Sequence, residues 1–89
     1  MDRSFELGTV VITRAAERQI YHPDIDEALA RHARGDWGNL DPEDVAENEF
    51  SLQMGLRILS SYEDRLGNKF WIITEADRSY TTILLPEDY

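Results

Sequence analysis

The spacing of hydrophobic and polar residues changes along the chain, and each spacing predicts a type of element. Residues 7–13 (LGTVVIT) are rich in β-branched side chains, which favour a strand. Apolar residues recur at the i, i+3, i+4, i+7 positions of a buried helix face within Asp24–Arg34. Aromatic and β-branched runs then predict three further strands, over Leu56–Tyr62, Phe70–Glu75 and Tyr80–Leu85.

Polar residues at the borders of these runs predict where the first two helices begin and end. The hydroxyl of Thr13 can satisfy an orphan amide, so it is expected to cap a short helix over Arg14–Tyr21. Asp24 with Glu27 three residues later resembles a capping box and predicts the start of the second helix. Gly35 is expected to end that helix.

The third helix has a strong start signal. Asp41 supplies an N-cap, Pro42 suits the first helical position, and the acids that follow favour the positive end of a helix. This helix is expected to run to about Met54 and to end at Gly55.

Chain length and element order together predict one domain over residues 1–89, of the α+β class. The order β-α-α-α-β-β-β favours an antiparallel sheet with the helices packed on one face. A chain of this size buries only about 60–65% of its unfolded surface, so a deep enclosed pocket is not expected.

Composition argues against several classes of function. The chain carries 18 Asp and Glu against 9 Lys and Arg, a net charge of −9, which disfavours direct binding to nucleic acid or to an anionic membrane and favours a basic protein partner. The absence of cysteine excludes disulfides, thiolate catalysis and cysteine-based metal sites. No membrane-span or signal-peptide pattern occurs, which predicts a cytoplasmic protein.

The sequence also lacks the common catalytic motifs. It contains no phosphate-binding glycine loop, no H-E-x-x-H and no EF-hand loop, so we expect a non-enzymatic protein without cofactor or metal. One alternative is a small enzyme that uses Glu49, His32 and an arginine. His32 lies four residues before Asp36, a spacing that allows a metal dyad or an acid–base pair, although most such histidines are buried structural residues.

One stretch of the chain is dense in carboxylates. Residues 36–55 contain no Lys or Arg but hold six acids: Asp36, Asp41, Glu43, Asp44, Glu47 and Glu49. On a helical wheel, Glu43, Asp44 and Glu47 share the face opposite Val45. The five acids between residues 41 and 49 span about 13 Å of helix, a charge density comparable with that of one DNA strand, which carries about four phosphates over that distance. Two interpretations stay open: a phosphate mimic for a basic groove, and a solvated helix face.

Trp37 and Glu49 stand at opposite ends of this stretch. Trp37 follows the second helix between two glycines, either as a lid on the core or as an exposed binding residue beside the acidic helix. Glu49 falls on the apolar side of the third helix, where a structural ion pair with Arg57 or Arg78 would satisfy it. The predicted partner-binding residues are Asp36, Trp37, Asp41, Glu43, Asp44 and Glu47.

Three strings in the sequence carry a resemblance: RHARGDWG (31–38), AENE (46–49) and FWIITEADRSYTTILLPEDY (70–89). Over roughly residues 8–89 the chain resembles small bacterial proteins that are encoded on plasmids and integrative elements and have no assigned activity. The resemblance implies a mobile element in a bacterial cytoplasm. By analogy, small acidic proteins of such elements include inhibitors of restriction and CRISPR systems, some of which mimic DNA.

Two hypotheses follow. The first is a non-enzymatic binding protein that inhibits a basic, nucleic-acid-handling partner, such as a restriction or CRISPR effector, through the acidic helix and Trp37. The second is an accessory or regulatory interaction module of the element, without inhibitor activity, that binds through its sheet or forms a homodimer.

Overall fold

The computed structural model describes residues 4–89 and confirms the α+β class and the predicted order of elements. The part of the single-domain prediction that concerns residues 1–3 lies outside the described residues. The helices are α1 (Arg14–Gln19), α2 (His22–Ala33) and α3 (Pro42–Met54). The strands are β1 (Thr9–Ile12), β2 (Ile58–Glu63), β3 (Lys69–Thr74) and β4 (Tyr80–Leu84), and a 3₁₀ turn follows at Pro86–Asp88.

The four strands form one sheet in the order β1-β4-β3-β2. The pairs β2–β3 and β3–β4 are antiparallel, as predicted, whereas β1 runs parallel to β4, with Thr9 opposite Tyr80 and Ile12 opposite Ile83. The helical crossover starts β2 in the same direction as β1, and two hairpins then reverse the chain twice. The last strand therefore returns beside the first in a parallel pair.

The predicted starts of α1 and α3 and the predicted end of α3 are confirmed, whereas α1 ends at Gln19 and not at Tyr21. Thr13 Oγ1 accepts a hydrogen bond of 3.1 Å from the backbone N–H of Ala16, and Asp41 Oδ1 accepts one of 3.0 Å from that of Asp44. Gly55 ends α3 in the left-handed region at φ 69°, where a residue without a Cβ is favoured.

The predicted start of α2 at Asp24 is wrong. The helix begins at His22, with Tyr21 as an N-cap that makes no side-chain hydrogen bond. Pro23 in the first turn permits this earlier start, because proline lacks only an N–H that the helix would leave unused. The Asp24 carboxylate instead binds the backbone N–H of Arg65 at 2.8 Å and its guanidinium at 2.9 Å, which ties α2 to the β2–β3 turn.

Helices α1 and α2 cover one face of the sheet, which confirms for these two helices the predicted packing on one face. Their buried residues pack against side chains that alternate along the strands, as expected for a sheet with one covered face. The main buried cluster comprises Ala16, Ile20, Ile25, Ala28, Tyr62, Phe70, Ile72, Ile83 and Leu85.

The two outer edges of the sheet differ in whether other parts of the chain hydrogen-bond to them. Beside β2, the Ser61 N–H donates to the Trp37 carbonyl at 3.2 Å, and the Asn39 N–H donates to the Ser61 carbonyl at 2.7 Å. The Asn48 side chain of α3 closes the same edge by donating to the Leu59 carbonyl at 2.5 Å and accepting from the Leu59 N–H at 3.2 Å. At the opposite edge, no strand of residues 4–89 pairs with the outer side of β1.

Candidate protein-interaction surface

The acidic helix α3 has a packed side and an outward side. Asn48 is buried and Val45 and Leu52 are half-buried on the packed side. Four exposed residues lie on the outward side at the i, i+4, i+7, i+11 spacing, and we call them the α3 outer stripe: Glu43, Glu47, Phe50 and Met54. At a rise of 1.5 Å per residue, this stripe extends over about 16 Å.

Phe50 and Met54 are the part of the outer stripe that the predicted set of partner-binding residues missed. Their exposed fractions are 54% and 61%, high for large apolar side chains. The signal was present in the sequence, because each lies seven residues, or two helical turns, after Glu43 or Glu47. Phe and Met are enriched in protein interfaces, so these two side chains strengthen the case for a binding surface.

Two of the other predicted acids lie on a neighbouring side of α3. Asp41 and Asp44 line an open groove of about 570 Å³ between α3 and the sheet, with Glu47 on its rim. The groove also includes Trp71 and Arg57. Arg57 therefore places a cation in this groove. This cation was not predicted, because residues 36–55 contain no Lys or Arg.

Asp36 forms an ion pair with Arg31 at the end of α2. Its side chain accepts hydrogen bonds of 2.8 and 3.2 Å from the Arg31 guanidinium and one of 3.3 Å from the Gly38 N–H. The hydrogen bond from Arg31 is the main reason that the pKa of Asp36 lies below its usual value. Asp36 thus stabilises the turn after α2 through this ion pair, and its role in partner binding stays a prediction.

Trp37 is a core residue, so its predicted role as an exposed binding residue is wrong and the alternative, a lid on the core, is confirmed. Its side chain is only 4% exposed. The indole lies 6.1 Å from the ring of Phe5 and 6.1 Å from that of His32. Its Nε1–H donates a hydrogen bond of 2.7 Å to Glu49 Oε2. Burial of the large apolar indole is favourable here, because its one polar group, the Nε1–H, keeps a hydrogen-bond acceptor inside the fold.

The predicted ion pair of Glu49 with Arg57 or Arg78 is also wrong. Within residues 4–89, no ion pair joins Glu49 to either arginine. Arg57 donates to the hydroxyl of Tyr89 and lies over its ring, and Arg78 donates to the carbonyl of Leu56 at 2.7 Å. The Glu49 carboxylate thus accepts a hydrogen bond from the neutral indole of Trp37, whereas we expected an ion pair with a guanidinium.

His32 belongs to a buried chain of hydrogen bonds whose direction can be worked out. Thr81 donates its one hydroxyl proton to the Leu7 carbonyl at 2.7 Å, so Thr74 must donate to Thr81, also at 2.7 Å. Thr74 is then an acceptor for His32 Nε2, at 2.8 Å, which places the ring proton on Nε2. The neutral ring accepts at Nδ1 from the Ser60 hydroxyl, at 2.5 Å.

This arrangement excludes the proposed pairing of His32 with Asp36. Both ring nitrogens of His32 are engaged by hydroxyl groups, and Asp36 binds Arg31 instead. Burial, together with the charge of Arg78, lowers the pKa of His32 to about 3, so the ring is neutral at pH 7. Within the described residues 4–89, no group of three or more His, Asp or Glu side chains is placed to hold a metal ion.

Comparison of the chain with protein-family models, with curated proteins and with solved structures finds no match. In the part of the chain that the structure describes, no helix is both long and apolar enough to cross a membrane. The α3 outer stripe is the strongest functional candidate, because it joins exposed acids and exposed apolar side chains on one side of a helix.

Proposed function

We propose that this protein is an acidic binding protein of a mobile element that presents α3 to a basic, nucleic-acid-handling partner. One observation carries the proposal: the outer stripe places Phe50 and Met54, both more than half exposed, in line with Glu43 and Glu47. A surface of this kind fits a groove that has cations beside an apolar pocket. The mobile-element setting rests on the resemblance carried by residues 31–38, 46–49 and 70–89.

The acids and the apolar residues have separate roles in this proposal. The net charge of −9, with Asp41 and Asp44 beside the stripe, speeds encounter with a basic surface. Phe50 supplies an anchor, since a few buried aromatic residues carry most of the affinity at typical interfaces. Occupation of a groove that otherwise holds DNA or RNA would then inhibit the partner. Restriction and CRISPR effectors are the proposed partner class.

The test is affinity capture from a bacterial lysate that contains restriction and CRISPR effectors, followed by elution with duplex DNA. Wild-type protein is compared with the triple variant Glu43→Lys, Asp44→Lys, Glu47→Lys. The matched control makes the same change in net charge at three exposed acids outside α3: Glu6, Glu27 and Glu87. We expect the α3 variant to lose a DNA-eluted partner that the control retains. Equal capture by both variants, or a partner that DNA does not displace, would contradict the proposal.

A second candidate function is an accessory interaction module of the element without inhibitor activity. The unpaired outer side of β1 favours it, because an open sheet edge is a template for another strand. The two functions differ in the activity of the captured partner. An inhibitor abolishes cleavage of DNA by that partner, whereas an accessory module leaves cleavage intact.

A further inference from the structure

The outer edge of β1 offers backbone groups for another strand. Thr9 N–H donates to the Ser79 carbonyl and Thr13 N–H donates to the Ile83 carbonyl, each at 3.0 Å. In a parallel ladder, alternate residues direct their N–H and C=O groups to the same neighbour. Val10 and Ile12 therefore direct two N–H and two C=O groups away from β4.

Strand addition at a sheet edge is usually blocked by a very short strand, a charged side chain, a proline or a bulge. Of these, the described part of the β1 edge has only the short strand, of four residues. The segment Thr9–Ile12 reads TVVI, without charge or proline, and both Val10 and Val11 are 42% exposed. Since the opposite edge of the same sheet is closed by residues 37–39 and Asn48, the open edge is a specific feature of β1.

A groove of about 350 Å³ runs alongside this edge, between β1 and α2. It has an apolar floor and an acidic rim, with no Lys or Arg among its lining residues. The floor is formed by Val10, Ile12, Ile25, Leu29 and Ile83, and the rim carries Glu17, Asp26 and His22. A strand added to β1 would point every second side chain towards this floor.

We infer that the β1 edge binds an extended segment of a partner protein whose groove-facing residues, every second one along the segment, include both apolar residues and Lys or Arg. The apolar residues would pack on the groove floor, and the cations would meet Glu17 and Asp26. A second copy of the chain fits less well, because two molecules of charge −9 would bring acidic rims together. Because β1 and β2 are opposite edges of the sheet, about 14 Å apart at the usual strand spacing, this surface is separate from α3. The inference goes beyond the α3 proposal and gives the second candidate function a class of partner.

Amide hydrogen exchange of the wild-type protein tests the inference without any variant. The probe is a synthetic ten-residue peptide in which every second residue is Lys or Ile, so that both types lie on the groove-facing side, and the residues between them are Thr. In the protein alone, the amides of Val10 and Ile12 should exchange fast and that of Val11, which faces β4, slowly. With millimolar peptide, we expect the amides of Val10 and Ile12 to slow by at least about tenfold, and that of Val11 to stay unchanged.

Two control peptides separate strand pairing from charge attraction. One replaces the central Ile residues with Pro, which keeps the charge but removes backbone donors, and the other replaces Lys with Glu. Neither should protect the two amides. Failure of the Lys-Ile peptide to protect them, or equal protection by either control, would overturn the inference.

Two further measurements identify what binds the β1 edge and test whether this binding is independent of α3. If the two amides are already protected in the protein alone and sedimentation shows a dimer, the edge pairs with itself and the inferred occupant is wrong. The variant Phe50→Ala should retain full protection by the Lys-Ile peptide, so a failure of the α3 proposal leaves this test intact. The variant Asp26→Lys should weaken peptide binding by about tenfold, whereas Glu27→Lys, outside the groove, should not.

Discussion

Trp37 Nε1 donates a hydrogen bond of 2.7 Å to Glu49 Oε2, and this contact links the turn after α2 to the middle of α3. The indole is buried while the carboxylate is half-buried. Together with the two hydrogen bonds between Asn48 and Leu59, this bond sets the rotation of α3 about its own axis. That rotation turns Phe50, the next residue after Glu49, outward.

The first prediction concerns this bond. Trp37→Phe keeps a large aromatic ring but removes the donor to Glu49. We expect the free energy of unfolding to fall by about 1–3 kcal/mol in urea titrations, because the donor to a partly buried carboxylate is lost. Glu49→Ala and the double variant Trp37→Phe, Glu49→Ala complete a double-mutant cycle, which isolates the energy of this pair from the other contacts of each residue. Losses that simply add in the double variant would show that the bond is not the cause.

Local signals in the sequence were sufficient to predict most of the architecture. The helix caps Thr13 and Asp41 and the glycine at position 55 act through atoms within four residues, so their effect can be derived from the sequence alone. The start of α2 could not be predicted in this way. Asp24 finds a partner in Arg65, 41 residues later, and that contact exists only once the fold has formed.

The candidate site was predicted only in part for the same reason. The outward side of α3 follows from helical periodicity, which correctly separated Glu43 and Glu47 from Val45. The burial of Trp37 depends on Phe5 and other residues distant in sequence. The ion pair between Arg31 and Asp36 joins residues only five positions apart, but each has several candidate partners in the sequence, so the pairing could not be chosen from the sequence alone.

The second prediction concerns the protonation of His32. Burial lowers its pKa from 6.5 to about 3, so below pH 6.5 the unfolded chain takes up a proton that the folded protein excludes. Stability is then fully present above pH 6.5 and falls as the pH decreases towards 3, by up to about 1.4 kcal/mol per pH unit. Urea unfolding at pH 7 and pH 5 should differ by about 2 kcal/mol from this residue.

Nuclear magnetic resonance of the variant His22→Gln observes His32 as the only histidine. Its ring signals should show the Nε2–H form and should not titrate between pH 7 and pH 5. A ring that titrates near pH 6.5, or that carries its proton on Nδ1, would contradict the directed chain from Ser60 to Leu7.

The third prediction compares two glycines with similar backbone angles. A Cβ on Gly38, at φ 74°, would lie 2.0 Å from the Ser61 carbonyl oxygen, whereas one on Gly55, at φ 69°, meets nothing within 4 Å. Gly55→Ala should cost about 1–2 kcal/mol from the left-handed conformation alone. Gly38→Ala should cost more than about 4 kcal/mol, because the bridge between Gly38 and β2 must also separate. Thermal unfolding of both variants measures the difference, and equal losses would refute the close approach.

The fourth prediction concerns Asn48, whose side-chain amide closes the outer edge of β2. Asn48→Ala leaves the N–H and C=O of Leu59 without these partners and should lower the free energy of unfolding by about 1–3 kcal/mol. The exposed edge should also speed amide exchange at Leu59 and promote association at high protein concentration. Gln53→Ala, on the exposed part of α3, is the control and should change neither property. If Leu59 stays protected in Asn48→Ala, the backbone contacts of residues 37–39 close this edge without help from α3.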